Sequence, residues 1–341
     1  MPRRRKDLSA FRQQLVDLMG DDAAPGVEDE IFRDMLYNIG KLRDERLDVL
    51  ELRLLSTAFA ELRYALSVFK PYRGIPKAAV FGSARLKGNH PDFKIAEQFG
   101  RKLAKKGWMI ITGGASGIME AAMVGAGAKN SFGLNILLPF EQQPNTTIRG
   151  NEKLIYFKYF FTRKLMFLKE SEATVLFPGG FGTFDEGFES FTLVQTGKAR
   201  PRPLVLVDRP DSAFWKDTLS LFKKHMEKGG LISPADLSLM RHFQDAGRAA
   251  DEVAGFYANY HSSRFLKDQY LVRLKKPLSE AELRLLNARF LDIVQSGEFR
   301  ALEDLREDDQ VDASLYRLVF HFDRSSYGRL RQLIDHLNSL S

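Results

Sequence analysis

Pro178-Gly179-Gly180-Phe181-Gly182-Thr183-Phe184-Asp185-Glu186 follows an apolar run, Ala173 to Phe177, and opens an amphipathic segment from Phe188 to Thr196. This order reads as a strand, a glycine loop and a helix. Three glycines let the backbone take positive φ and leave room for a bulky group, while the first free N–H groups of the helix and its dipole favour an anion. Phosphate is the expected guest. Thr183 and Glu186 carry a second reading, because Thr-x-x-Glu at a helix start is also a capping box in which the Glu only caps the Thr backbone N–H. The loop alone leaves both readings open, and the rest of the chain supplies the context.

At 341 residues and 44% hydrophobic content, the chain exceeds the ~100–200 residues typical of one domain and can bury a core with one or two appendages. It holds no cysteine, which excludes disulfides, thiolate catalysis and cysteine-ligated metal and fits an intracellular, cytoplasmic setting. The histidines, His90, His225, His242, His261, His321 and His336, are scattered without HExxH-like pairing, so no metal site is expected. Met1-Pro2-Arg3-Arg4-Arg5-Lys6 leads into Asp7 and polar sequence rather than an apolar signal core. No apolar run approaches the ~18–20 residues that span a bilayer, so no membrane partner is expected. The net charge of +7 comes from 51 basic residues interleaved with 44 acids, a pattern of solvated charge rather than of a nucleic-acid surface.

Between residues 28 and 69, Ile31, Met35, Ile39, Leu42, Leu47, Leu50, Leu54, Leu62, Leu66 and Phe69 recur at helical spacing, and Pro71, Gly74 and Pro76 close the segment. A helical N-terminal extension over residues 1–74 follows. From Lys77 the pattern becomes short apolar strands alternating with helices. Ala78 to Phe81 is a strand before Gly82-Ser83-Ala84-Arg85, and Trp108 to Thr112 is a strand before Gly113-Gly114-Ala115-Ser116-Gly117. Strands follow at Gly133 to Leu138, near Ile155, at Ala173 to Phe177 and at Pro203 to Val207, with helices at Phe161 to Lys169 and Phe214 to Met226. Continuous apolar strands in repeated βα units predict a parallel, doubly wound α/β sheet over residues 75–262. Residues 263–341 read as a small α+β module of βαββα order: strand Tyr270 to Leu274, helix Ser279 to Ser296, strands near Phe299 and at Leu315 to Phe322, helix Tyr327 to Leu337. Packing and dimerisation are its expected roles.

In a doubly wound sheet the ligand sits beyond the carboxyl ends of the strands, where Ser83, Gly113, Gly114, Gly179 and Gly180 gather. Three glycine loops on one rim point to a nucleotide-like ligand. None is a strict G-x-G-x-x-G or Walker A sequence, which disfavours a dinucleotide or ATP site.

The set Gly113-Gly114-x-x-Gly117-Ile118-Met119-Glu120, Leu138-Pro139-Phe140-Glu141, Arg163-Lys164 and Pro178-Gly179-Gly180-x-Gly182-Thr183-x-x-Glu186 resembles the LOG ("lonely guy") family of nucleoside 5′-monophosphate phosphoribohydrolases, over roughly residues 75 to 230. Bacterial relatives carried the label lysine decarboxylase-like. Nothing here singles out the Schiff-base lysine that a pyridoxal decarboxylase needs. The resemblance implies hydrolysis of the N-glycosidic bond of a purine-type nucleoside 5′-monophosphate, of the AMP or cytokinin riboside monophosphate kind, to free base and ribose 5-phosphate, without a cofactor. It implies Glu186 as the carboxylate that stabilises positive charge on the ribose and handles the water, and Arg163 beside the leaving base. Glu141 would contact ribose or base, Lys164 would accompany Arg163, Gly179, Gly180, Gly182 and Thr183 would hold the 5′-phosphate, and Thr192 matches the family's downstream threonine. Asp185 stands where many relatives have Glu. The resemblance also implies homodimers. A second reading is a nucleotide-binding regulatory protein that has lost turnover; retention of Arg163 and Glu186 favours the enzyme.

Overall fold

Each strand of the main sheet is a run of four to six residues, buried along its length in all but the fourth and last, as a parallel sheet covered on both faces requires. The computed structural model describes residues 26–138, 143–302 and 312–340. Two compact units emerge, residues 1–60 and 61–341. The first holds helix α1 (Val27–Asp44), with Glu28, Asp29 and Glu30 in its first turn and Lys41 and Arg43 in its last, charges matched to the helix dipole. Helix α2 (Val49–Phe69) begins in this unit and ends in the second. The helical region read over 28–69 is built from these two helices. No helix among the described residues is long and apolar enough to cross a membrane.

The second unit carries seven parallel strands: β1 (Lys77–Phe81), β2 (Met109–Thr112), β3 (Ser131–Ile136), β4 (Leu154–Phe157), β5 (Ala173–Leu176), β6 (Leu204–Val207) and β7 (Met240–Phe243). Their order is β4-β3-β2-β1-β5-β6-β7. The chain leaves β1 in one direction and returns to its other side at β5, so the switch point of this doubly wound α/β fold lies between them. Successive strand residues face opposite layers. Val80, Ile110, Val175 and Val205 pack with Phe99, Leu103, Ile118, Ala249 and Val253 of helices α3 (Pro91–Lys105), α4 (Ile118–Ala126) and α8 (Ala246–Gly255). Ala79, Ile111, Leu134 and Leu206 pack with Ala65, Phe69, Met166, Phe167 and Trp215 of α2, α5 (Phe160–Lys169) and α7 (Phe214–Leu221). Helix α6 (Phe181–Gln195) follows β5 directly.

The C-terminal module adds β8 (Tyr260–Leu266), β9 (Gln269–Leu274), α9 (Glu280–Phe290), β10 (Val294–Leu302), β11 (Tyr316–Phe322) and α10 (Tyr327–Ser339). Its antiparallel sheet runs β10-β11-β9-β8, over a core of Tyr270, Leu286, Phe299, Phe320, Leu330 and Leu333. The order is therefore ββαββα rather than βαββα, and the helix begun at Ser279 stops at Phe290, giving way to β10. Likewise α7 ends at Leu221 and widens into a π-helical turn, Phe222–Glu227.

Candidate active site

The loop after β5 decides whether Glu186 caps its helix. Helix α6 starts at Phe181 with Gly180 as its N-cap, and no side chain caps it. Thr183 is then the third helical residue and Glu186 the sixth, one turn too far along to cap the helix. The capping-box reading fails. The carboxylate is buried, at 6% exposure, and faces Arg163, whose Nη2 lies 3.5 Å from Glu186 Oε1.

The expected positive φ of the three loop glycines is also corrected: Gly180 has φ −90°, and Gly179 and Gly182 likewise lie outside the left-handed region. Gly179 is needed for space, since a Cβ there would sit 2.1 Å from Thr183 Oγ1 and 2.9 Å from Ser83 N. A Cβ on Gly180 or Gly182 would meet nothing within 4 Å, because both border open space. The loops after β1, β2 and β5 lock together: Ser83 N donates to Pro178 O (3.0 Å), Ile118 N to Ser83 O (3.0 Å), and Ser116 Oγ to Ala84 O (2.9 Å).

Between these loops lies a cavity of about 740 Å³, within the ~300–1,000 Å³ of small-ligand sites. Ser83, Gly113, Gly179, Gly180, Gly182, Thr183, Arg163 and Glu186 all line it. The N–H groups of Gly180, Phe181 and Gly182 find no acceptor among the described residues, the arrangement that receives an anion at a helix start. Gly114 is buried behind the rim, at φ 71°, where its carbonyl accepts Asn145 N (2.8 Å) and Nδ2 (3.1 Å). Lys164 is turned away into carboxylates, with Nζ 2.8 Å from Glu189, 3.0 Å from Asp185 and 3.8 Å from Glu186. Thr192 is exposed beside a separate small cavity with Phe188 and Phe191. Glu141 lies outside the described residues.

Among the lining residues that the sequence did not single out for the site are Arg85, Met119, Asn135 and Phe181. Asn135 did leave a signal, a polar residue inside the buried apolar strand β3, where its Nδ2 donates to Gly113 O (3.3 Å). Phe181 stands 97% exposed at the mouth.

Burial sets the electrostatics. It pushes Glu186 up to about 7, against the pull of Lys164 and Arg163 and with added repulsion from Glu189 and Asp185. Burial also lowers Arg163, while Glu186 holds it up; a guanidinium still keeps its charge. Arg163 stacks over Phe160 (4.9 Å) and Phe167 (5.8 Å), and its buried Nε has no partner among the described residues. Helix α5 is pinned at both ends: Glu61 accepts Lys158 N and Thr162 Oγ1, each at 2.6 Å, and Arg202 donates to Leu168 O (2.9 Å). A charge pair between the anchored helix α5 and the start of α6, with its carboxylate poised near neutrality, suits proton handling.

A family model described as "Possible lysine decarboxylase" matches residues 116–253. Among similar proteins, the "Probable cytokinin riboside 5'-monophosphate phosphoribohydrolase LOG4" of Oryza sativa subsp. japonica is 31% identical over 163 residues, 46% of this chain and 67% of that protein. The cytokinin riboside 5′-monophosphate phosphoribohydrolase of Mycobacterium tuberculosis is 26% identical, over 46% of this chain and 83% of that one. Among solved structures, the molybdenum cofactor carrier protein of Chlamydomonas reinhardtii is 22% identical with a TM-score of 0.37, covering 52% of this chain and 96% of that one, a likeness too weak to carry an argument. The extent of the match to the rice protein, with the glycine loop, Arg163 and Glu186 gathered at one cavity, supports a single assignment: the chain belongs to the LOG family.

Proposed function

We propose that this protein hydrolyses the N-glycosidic bond of a purine-type nucleoside 5′-monophosphate, releasing free base and ribose 5-phosphate. Its relatives' named activity on cytokinin riboside 5′-monophosphates supports nucleotide hydrolysis of this type. The observation that carries the reading is the Arg163–Glu186 pair, 3.5 Å apart, facing a cavity whose other wall is the glycine-loop start of α6.

In this reading the 5′-phosphate sits on the free N–H groups of Gly180, Phe181 and Gly182, with Thr183 and Ser83 beside it. That anchors the sugar over Glu186. As the bond between C1′ and the base nitrogen lengthens, its electron pair leaves with the base and positive charge spreads over C1′ and O4′. The Glu186 carboxylate stabilises that charge, takes a proton from the attacking water and passes it on to the departing base. The new bond joins water oxygen to C1′. Lys164 and Arg163 keep a share of Glu186 ionised near neutral pH, and Arg163 offers its unpartnered Nε to the leaving side.

Decarboxylation of lysine does not fit these residues. No lysine lines the cavity among the described residues, and Lys164 is held by Asp185 and Glu189, so a Schiff base has no donor there. The reading is tested by incubation with a panel of nucleoside 5′-monophosphates, scored by released base and ribose 5-phosphate. Release of base from no member of the panel would overturn it.

A further inference from the structure

A second cavity, of about 580 Å³, lies where the C-terminal ends of α5 and α6 meet β8 of the C-terminal module. Lys169, Lys198, Arg200 and Arg202 line it, against a single carboxylate, Glu172. That carboxylate is occupied, accepting Lys77 N at 2.6 Å, and burial raises its pKa. Lys169 pairs with Glu170 (2.6 Å). Lys198 and Arg200 are exposed and have no hydrogen bond or ion pair among the described residues. Arg202 reaches Leu168 O and Ser171 Oγ but leaves its buried Nε without an acceptor. His261, also on the wall, is pushed toward its neutral form by burial and by Lys275, Arg273 and Arg200. Lys198, Arg200 and the Nε of Arg202 thus leave positive charge uncompensated in a concave site between two structural modules, a favoured place for ligands.

Cations at helix C-termini also serve the helix dipole. That accounts for Arg202, which bonds a terminal carbonyl of α5. It does not account for Lys198 and Arg200, which lie beyond the end of α6 on the 196–202 connection and bond no carbonyl.

We propose that this cavity is a second anion site, whose unpaired Lys198 and Arg200 together with the orphaned Nε of Arg202 suit a small molecule with several negative charges, such as a pyrophosphate group, and that its occupancy acts on the helices carrying Arg163 and Glu186. Two joints favour transmission. Gly197 (φ 69°) follows α6 so closely packed on α10 that a Cβ would lie 1.9 Å from Tyr327 Oη, and Gln195 Nε2 holds Asp236 at 2.8 Å. The binding claim stands on the cavity's own charges; the effect on turnover rests on the proposed reaction.

The test is isothermal titration of the full-length protein with inorganic pyrophosphate at fixed ionic strength, with ADP and sulfate in parallel. The expected result is submillimolar pyrophosphate binding, weakened about tenfold or more by Lys198→Gln with Arg200→Gln, since each charge-assisted contact is worth on the order of a factor of ten. Gly180→Val, which obstructs the first cavity, should leave it intact. ADP binding tighter than pyrophosphate, and dependent on the same two residues, assigns a nucleotide; weaker binding assigns pyrophosphate itself. No binding at 1 mM, sulfate binding equally well, or loss in Gly180→Val with retention in the double variant would each overturn the site. In wild-type protein that turns nucleotide over, pyrophosphate should change the rate by about fivefold or more, and the double variant should keep basal turnover and lose the response. Binding without a change in rate would overturn the coupling. Absence of turnover altogether would count against the proposed reaction and leave the site standing on its binding arm.

Discussion

Replacing Glu186 by Gln removes a buried charge at almost constant shape, and the structure sets the size of the effect. The carboxyl is buried and its pKa is raised from 4.5 to about 7. A folded-state pKa above the unfolded one means that the group's contribution is fully present below about pH 4.5 and is lost as pH rises through about 7. At 1.36 kcal/mol per unit, the wild type forfeits up to about 3 kcal/mol between those limits. Gln carries no such loss, but it leaves Arg163 buried without its counter-charge, which offsets part of the gain. Thermal unfolding should therefore find Glu186→Gln no more stable than wild type at pH 4.5 and more stable at pH 8, by roughly 1–2 kcal/mol or a few degrees in Tm. Turnover should fall by at least ~10²-fold. A stability difference that stays flat from pH 4.5 to 8 would refute the buried-carboxylate argument; near-normal turnover would remove Glu186 from the chemistry.

Because the proposed step needs the carboxylate, kcat/KM of the wild type should rise with pH through an apparent pKa near 7 and level off above it; a flat profile from pH 5 to 8 argues against Glu186 as the base. Nucleosides should be poor substrates beside their 5′-monophosphates, because phosphate contacts supply binding energy used at the reacting bond, and equal kcat/KM for adenosine and its monophosphate would contradict the cradle. Gly179→Ala should destabilise the fold by about 1–3 kcal/mol, as overpacking does, given its 2.9 Å approach to Ser83 N, whereas Gly180→Val should fold normally and raise KM about tenfold or more; the reverse pattern in Tm would refute the division. A homodimer is expected from the exposed Phe160, Phe161 and Leu165 of α5 and Phe188 of α6, and light scattering that returns 38.8 kDa with full activity would contradict it.

The parallel sheet was legible because its central strands are buried on both faces and read as unbroken apolar runs, and the three glycine loops because each follows such a strand. Two edge strands were not: β7 carries Arg241 and His242, β8 carries His261, Ser262 and Arg264, and half-exposed edges lose the apolar pattern that marks a strand. Glu186 and Arg163 could be read as a pair from the motif, but helix geometry separates their neighbours. Lys164 is one residue, about 100°, round α5 from Arg163, and Thr192 is six residues beyond Glu186, about 120° off its face and more than a turn away. Neither reaches the cavity with its neighbour. The signal of Asn135 was easily passed over, because one polar residue among Phe132, Leu134 and Ile136 is outvoted in a reading of apolar runs. Phe181 was hidden because a loop position does not reveal that its ring is left in solvent.

The most direct measurement is the product pair formed from one nucleoside 5′-monophosphate, such as AMP, by wild-type and Glu186→Gln protein, followed by mass spectrometry. The account predicts free base and ribose 5-phosphate in equal amounts from the wild type, with the phosphate still on the sugar, and at least ~10²-fold less of both from the variant. Nucleoside plus inorganic phosphate, or the same yield of base from both proteins, would contradict it.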